Sequence, residues 1–113
     1  MHNQLGAISP LDGRYHNSVK ELNAYFSEAA LMRYRIYVEI EYLIALSLEK
    51  RINDLTPLSD NQQKRLRSIY QNFDLSSAET VKQLETDTNH DVKAVEYFIQ
   101  KKCKKSLHPW IHF

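Results

Sequence analysis

The long apolar pattern between Glu28 and Lys50 constrains the fold of this 113-residue chain more than any other feature. Apolar side chains recur there every three or four positions, which predicts an α-helix. They form two adjoining stripes, which predicts a buried face wider than an ordinary surface helix needs. We expect this helix to be the central strut of the domain, with part of its apolar face packed on another domain or subunit. The first stripe holds Leu31, Tyr34, Val38, Tyr42 and Ala45, and the second holds Met32, Ile36, Ile40, Leu43 and Leu46 or Ser47.

Composition favours one all-α domain. The chain has only two glycines and three prolines, too few for the many tight turns of an all-β fold. Its length allows one domain at most, and its 42% hydrophobic content is ordinary for a soluble globular protein. A net charge of +1 gives no overall field that would attract nucleic acid or an anionic membrane.

The single cysteine, Cys103, excludes an internal disulfide and fits a reducing, cytoplasmic compartment. We interpret it as a small apolar residue on a helix face. No apolar run resembles a signal peptide or is long enough to span a bilayer. No metal-ligand spacing is present.

Shorter helical patterns surround the central one. Apolar spacing predicts a first helix over 17–25, with Ser27 as the N-cap of the central helix. Ser59 or Asp60 is expected to cap a helix that runs through Asn72. In it, Leu66, Ile69 and Tyr70 face inward, and Lys64, Arg65 and Arg67 face solvent. Residues 74–77 are expected to cap the next helix, from Ala78 to about Glu85, before a polar interruption over 86–89.

A turn near the start carries the first candidate binding residues. The run Ser-Pro-Leu-Asp-Gly-Arg-Tyr over 9–15 contains two turn-forming dipeptides, and Gly13 can adopt a positive φ without steric cost. Such a loop can present Arg14 and Tyr15 in fixed directions. Arginine offers a planar fork of donors suited to phosphate, and tyrosine offers a hydroxyl. The alternative is a surface loop with a solvated arginine.

A second candidate lies at the start of the last helix. Thr88 and Asp91 match a capping box, which predicts that this helix begins near Asn89. The side chains of Asn89 and His90 would then lie at a helix N-terminus and a concave corner, where free backbone N–H groups favour an anion. The alternative is a simple cap with a surface histidine.

The chain ends in a lysine-rich helix terminus and an apolar tail. Four lysines over 101–105 suit the negative end of a helix dipole. The tail over 107–113 contains Trp110, Ile111 and Phe113, and little chain remains to bury them. We expect that their natural partner surface is missing from the chain; the alternative is that they fold back on the helices.

Three of these segments resemble one family. The run over 9–15, the run Thr-Asn-His-Asp-Val-Lys-Ala-Val-Glu-Tyr-Phe over 88–98, and Ile-His-Phe over 111–113 are similar, in order and spacing, to segments of bacterial adenylosuccinate lyases, of the fumarase/aspartase superfamily. The similarity runs through essentially the whole chain. The family is all-helical and homotetrameric, and its active sites combine several subunits. The resemblance implies that residues 1–113 are its N-terminal, substrate-binding domain, without the central helical bundle or the C-terminal domain.

The resemblance also implies a reaction, the elimination of fumarate from adenylosuccinate to give AMP and from the related succinylated ribotide (SAICAR) to give AICAR. It assigns Arg14 and Tyr15 to the phosphate end of the substrate, and Asn89, His90 and Asp91 to the same pocket. It implies no cofactor. The family's general-acid histidine and general-base serine segments do not occur in this sequence, so no catalytic residue is assigned, with an assisting role for His90 as the alternative. The chain alone is expected to be inactive.

Two other functions stay open. A small helical protein-interaction module without catalysis would use the double-striped helix and the apolar tail. A nucleic-acid binder ranks third, because the lysines cluster at one helix end and charges are balanced elsewhere.

Overall fold

The computed structural model describes residues 3–113, and all regular structure within them is helical, which confirms the all-α prediction. Among these residues no helix is both long and apolar enough to cross a membrane. The α-helices are α1 (His16–Val19), α2 (Asn23–Phe26), α3 (Glu28–Leu48), α4 (Asp60–Gln71), α5 (Leu75–Thr88) and α6 (Asp91–Lys102). Short 3-10 helices occupy Gln4–Gly6, Lys20–Leu22 and Lys105–Trp110.

The chain divides into two compact units, Met1–Leu31 and Met32–Phe113. In the described part of the first unit, only Gly13 and Ala30 are buried. The prediction of one helix over 17–25 is wrong, because α1 and α2 are separated there by the 3-10 helix. Asn17, Ser18 and Asn23 in this stretch are weak helix formers, which favours a break in the helix.

The start of α3 is as predicted. The Ser27 hydroxyl accepts a hydrogen bond from the Ala30 N–H at 3.1 Å, which is the N-cap interaction. The Ser27 hydroxyl also donates to the Asn23 carbonyl at 2.6 Å, so it ends α2 and begins α3. The helix ends at Leu48, two residues before the predicted limit.

The two stripes of α3 differ in burial. The second stripe is buried, and Ile36 and Ile40 have no exposed surface at all. The first stripe is not, and Val38 is 61% exposed. The prediction of one wide buried face is therefore wrong within the described chain, since the helices that follow α3 cover only one side of it. That the exposed stripe packs on another domain or subunit stays a prediction.

The core of the second unit joins α3 to α5 and α6. Its largest fully buried side chains are Ile36, Ile40, Leu43, Ser47, Val81, Val95 and Ile99. The Phe73 ring meets the Phe98 ring edge-on, with centroids 5.7 Å apart, and Tyr37 meets Tyr70 in the same way at 4.8 Å.

The α4 helix has the predicted N-cap and one unpredicted contact. The Ser59 hydroxyl accepts from the Gln62 N–H, and the Gln62 side chain accepts from the Ser59 N–H, which forms a capping box. Leu66 and Tyr70 are buried as predicted, and Ile69 is half-buried. Arg67 does not simply face solvent, because its guanidinium donates two hydrogen bonds, of 2.9 and 3.0 Å, to Glu41 of α3. These bonds hold the pKa of Glu41 below its usual value.

The loop between α3 and α4 is anchored by buried side chains and by a hydrogen bond to the core. Leu55 and Leu58 are buried although they lie outside any helix. The Ser47 hydroxyl donates to the Ile44 carbonyl at 2.7 Å and accepts from the Leu58 N–H at 3.3 Å. A buried serine therefore satisfies a loop N–H that would otherwise lack a partner.

The tail partly folds back on its own unit. Leu107 and Ile111 are buried, so the expectation that the tail needs an absent surface is wrong for these residues. A 3-10 turn directs them inward. Phe113 remains 70% exposed, with its ring centroid 5.0 Å from that of Trp110. Cys103 is half-buried after α6, and burial raises the pKa of its thiol, as suits a small apolar residue.

Candidate functional site

The turn that carries Arg14 is built around Asp12. The Asp12 carboxylate accepts a hydrogen bond from the Ser9 N–H at 2.8 Å, and the Pro10 carbonyl accepts one from the Tyr15 N–H at 2.9 Å. The backbone hydrogen bond from Ser9 holds the pKa of Asp12 below its usual value. The turn is thus closed by side-chain and backbone bonds within seven residues of sequence.

Gly13 is needed in this turn for space and not for a positive φ. No glycine among the described residues has a positive φ, so that part of the prediction is wrong. A Cβ atom on Gly13 would lie 2.7 Å from the Gln4 carbonyl oxygen and 3.3 Å from the Ala7 Cβ. The Gln4 carbonyl passes too close for any side chain at position 13.

Arg14 and Tyr15 act as a pair. The Arg14 guanidinium lies over the Tyr15 ring, 4.8 Å from its centroid, and the tyrosine is 45% exposed. A cation–π contact orients the guanidinium at an exposed position and leaves its donors open to solvent. The first unit therefore presents a guanidinium and a phenol together.

The second group of candidates lies at the corner between α5 and α6. The α5 helix continues through Thr88, beyond the predicted end at Glu85. Asn89 ends it in the left-handed conformation, with φ 52° and ψ 34°, and its N–H donates to the Glu85 carbonyl at 2.7 Å. Asparagine tolerates this conformation better than other non-glycine residues, so Asn89 is suited to the sharp break.

His90 is the N-cap of α6, and the predicted capping box from Thr88 does not form. The Nδ1 atom of His90 accepts a hydrogen bond from the Lys93 N–H at 3.1 Å. Thr88 is still within α5, and its hydroxyl accepts from the His90 N–H at 3.3 Å instead. Because Nδ1 is an acceptor here, a neutral His90 ring carries its proton on Nε2 and can donate it to a ligand.

Asp91 is tied to the central helix. Its Oδ2 atom lies 2.8 Å from the Arg35 guanidinium of α3, and this hydrogen bond holds the pKa of Asp91 below its usual value. Its Oδ1 atom accepts from the Val92 N–H at 2.9 Å. The N–H groups of Val92 and Lys93 are thus bound by the side chains of Asp91 and His90, and they are not free for an anion as the sequence suggested.

The structure brings the candidate residues together in two groups. Arg14 and Tyr15 lie in the first unit, and Asn89, His90 and Asp91 lie side by side in the second. Among residues 3–113, no group of three or more His, Cys, Asp or Glu side chains could hold a metal ion.

Comparisons with known proteins supply the remaining evidence. No family model matches the chain. An adenylosuccinate lyase of Dictyostelium discoideum is 50% identical to it over 109 residues, which are 93% of this chain and 23% of that protein. Adenylosuccinate lyases of Legionella pneumophila and Escherichia coli K12 are 45% and 38% identical over 114 residues, each covering 96% of this chain and 25% of the relative.

Nearly the whole chain is similar to the N-terminal quarter of these adenylosuccinate lyases. It spans about a quarter of the length of the curated relatives it matches. The aligned stretch thus extends well beyond the three short motifs, and the curated relatives are named adenylosuccinate lyase.

Two ion pairs of the chain were missed by sequence reasoning. Arg35 and Glu39, one turn apart on α3, pair with Asp91 and His112. Their partners lie 56 and 73 positions away, so no local pattern could signal them. The one available hint was the presence of charged residues inside the strongly apolar stretch of α3.

Proposed function

We propose that this chain is the substrate-binding N-terminal part of an adenylosuccinate lyase, which releases fumarate from adenylosuccinate and from SAICAR. The observation that carries the proposal is identity of 38–50% to adenylosuccinate lyases over nearly the whole chain. The complete enzyme acts in the cytoplasm as a homotetramer, needs no cofactor, and takes its catalytic acid and base from outside residues 1–113.

Arg14 and Tyr15 bind the phosphate of the substrate in this proposal. Support comes from the exposed guanidinium held over the Tyr15 ring and from the crowded Gly13 backbone that fixes its turn. A guanidinium binds phosphate through paired, charge-assisted hydrogen bonds.

Asn89, His90 and Asp91 bind the remainder of the same substrate. His90 offers an Nε2–H donor because its Nδ1 is used in the helix cap. Asp91 sets the position of the corner through Arg35, and Asn89 supplies an exposed amide beside it. These are binding roles, and the proton transfers of an elimination fall to groups elsewhere in the enzyme.

The test is a chimaera in which residues 1–113 replace the matching segment of the Dictyostelium discoideum relative. We expect the folded chimaera to release fumarate from adenylosuccinate, and the isolated 113-residue chain to release none. A folded chimaera without activity, or clear turnover by the isolated chain, would contradict the proposal.

A helical interaction module is the second candidate, and the exposed stripe of α3 favours it. The chimaera separates the two functions, because an interaction module has no reason to restore fumarate release.

A further inference from the structure

Three adjoining cavities form a groove on the second unit, between α4 and the segment that follows α6. The middle cavity, of about 270 Å³, shares Arg65 and Lys102 with a cavity of about 400 Å³ at one end. It shares Lys104 with a cavity of about 250 Å³ at the other end. We call the two ends the serine end, after Ser77, and the tryptophan end, after Trp110, and the whole the basic groove. Cavities of this size are typical of small-molecule sites.

Cationic side chains lie at both junctions of the basic groove. Arg65 and Lys102 lie where the middle cavity meets the serine end, and Lys104 lies where it meets the tryptophan end. Of the described residues, Asp54 at the tryptophan end is the one carboxylate that lines the groove. Neither Arg65 nor Lys104 forms an ion pair within residues 3–113. The groove therefore has an excess of positive charge.

Lys102 is positioned by its neighbours. Its Nζ atom lies 5.2 Å from the centroid of the Phe98 ring. The pKa of Asp74 is lowered by hydrogen bonds from Ser77 and also by the charge of Lys102, so this carboxylate lies near the ammonium group. A cation over the face of a ring keeps its N–H donors available to a ligand.

Balance of the α6 dipole does not explain this arrangement. Lysines near a helix C-terminus are favourable for that reason alone. Arg65, however, belongs to α4, and Lys101 lies in the last turn of α6 without lining any of the three cavities. The groove thus selects particular cations from a larger basic surface.

The tryptophan end is suited to an aromatic ring. Trp110 is half-buried there and lies beside the buried Leu55 and Leu107. The face of an indole ring stacks on nucleobases of any sequence. A ligand that extends along the groove would therefore place anionic groups at the junctions and a planar ring at this end.

We propose that the basic groove binds a nucleoside di- or triphosphate, with the phosphates at Arg65, Lys102 and Lys104 and the base against Trp110. A guanidinium and two ammonium groups suit a chain of phosphates, whereas one phosphate group would engage a single junction. The site is separate from the candidate substrate site, because Lys102 and Asp91 lie at opposite ends of α6, about 16 Å apart along its axis.

Trp110 is the only tryptophan of the chain, so its fluorescence reports on the groove directly. We expect ATP to quench this fluorescence in the 113-residue chain at about 0.15 M salt, with a Kd below about 1 mM. Inorganic triphosphate should compete with ATP and leave the fluorescence almost unchanged, because it has no base. AMP should bind about tenfold more weakly than ATP. Absence of quenching by ATP, or equal affinity for AMP, would overturn the proposal.

Two double variants distinguish a built site from general attraction of charge. Arg65→Gln with Lys102→Gln removes cations of the groove. Lys64→Gln with Lys101→Gln removes their neighbours on the same two helices, which line none of the cavities. We expect the first variant to raise the Kd for ATP by about tenfold or more, and the second by about twofold at most. Equal losses would overturn the site.

Lys104→Gln provides a second test that leaves both helices unchanged, since Lys104 is exposed and lies beyond α6. It should raise the Kd for ATP by about threefold or more, and an unchanged Kd would remove Lys104 from the site and contradict the proposal. Circular dichroism checks that every variant retains its helices.

Acidic polymers are the competing ligands for a basic groove. A hexaglutamate peptide and a single-stranded hexathymidylate should both bind more weakly than ATP. Equal or tighter binding of the peptide would make the groove a protein-docking surface, and the same result with the oligonucleotide would make it a nucleic-acid surface; either would overturn the nucleotide site. These measurements involve no catalysis, so an inactive chimaera would refute the proposed function and leave this test unaffected.

Discussion

The two units of the chain keep their shape by different means. The second unit, 32–113, surrounds a continuous apolar core in which Ile36, Ile40 and Ile99 have no exposed surface. In the described part of the first unit, the largest apolar side chains are exposed, with Leu5 at 98% and Ile8 at 99%. The first unit is held instead by the hydrogen bonds of a turn and by short helices.

This difference indicates which candidate binding residues the 113-residue chain can hold in place by itself. Turn hydrogen bonds contribute little net free energy against the entropy of an ordered loop, whereas core burial contributes much more. Asn89, His90 and Asp91 lie on the unit with a core. Arg14 and Tyr15 lie on the unit without one, so we expect their fixed placement to need surfaces from the rest of an enzyme.

The largest expected effect is on the free energy of unfolding, and it contrasts alanine substitutions at a buried and an exposed isoleucine. Ile40→Ala should lower the free energy of unfolding by about 2–5 kcal/mol, because it leaves a cavity in the core. Ile8→Ala should change it by no more than about 0.5 kcal/mol, as for an exposed position. Urea denaturation of both variants measures the contrast. Equal destabilisation would contradict the division between the units.

Alanine substitutions at Gly13 and Gly6 test how closely the backbone packs in the turn. Gly13→Ala places a methyl group against the Gln4 carbonyl, and the local strain should be about 1–3 kcal/mol, typical of overpacking. Gly6→Ala meets no atom within 4 Å and should be tolerated. Amide chemical shifts over 7–15 should move only in the first variant, while those of the core of the second unit stay unchanged in both.

The smallest expected effect is a difference between the carboxylates of Asp91 and Asp12 in how they change stability at low pH. Both Asp91 and Asp12 have a lowered pKa, so each contributes stability above its unfolded pKa, near 3.9, and loses it as pH falls through the lower folded value. Asp91 joins α6 to α3, so Asp91→Asn should weaken the acid dependence of global unfolding. Asp12→Asn should change only local exchange in the turn. Thermal unfolding between about pH 5 and about pH 2.5 distinguishes them.

Local patterns predicted most of the second unit. Apolar spacing and the Ser59 cap indicated α3 and α4 to within two residues, because both are determined by neighbours along the chain. The same patterns failed at Thr88, which fits a capping box in sequence but remains inside α5. There the left-handed Asn89 delays the start of α6, and His90 becomes the cap.

The features that local sequence patterns did not predict depend on contacts between distant segments of the chain. Which stripe of α3 is covered depends on where α5 and α6 pack, and both stripes look equally apolar in sequence. The pairs of Arg35 with Asp91 and of Glu39 with His112 join distant segments. The sequence pattern explained Gly13 by its freedom to adopt a positive φ. The glycine is required instead because the Gln4 carbonyl oxygen approaches it closely, and this approach exists only in the folded turn.

The most direct test of the proposed substrate site measures Arg14→Gln in the chimaera with two substrates, adenylosuccinate and its dephosphorylated nucleoside, succinyladenosine. Loss of a guanidinium–phosphate contact of about 1.5–3 kcal/mol should lower kcat/KM for adenylosuccinate by roughly 10- to 150-fold. The variant should leave kcat/KM for succinyladenosine unchanged, and Arg51→Gln, at an exposed arginine of the second unit, should affect neither. An equal loss with both substrates, or no loss with adenylosuccinate, would contradict the assignment of Arg14 to the phosphate.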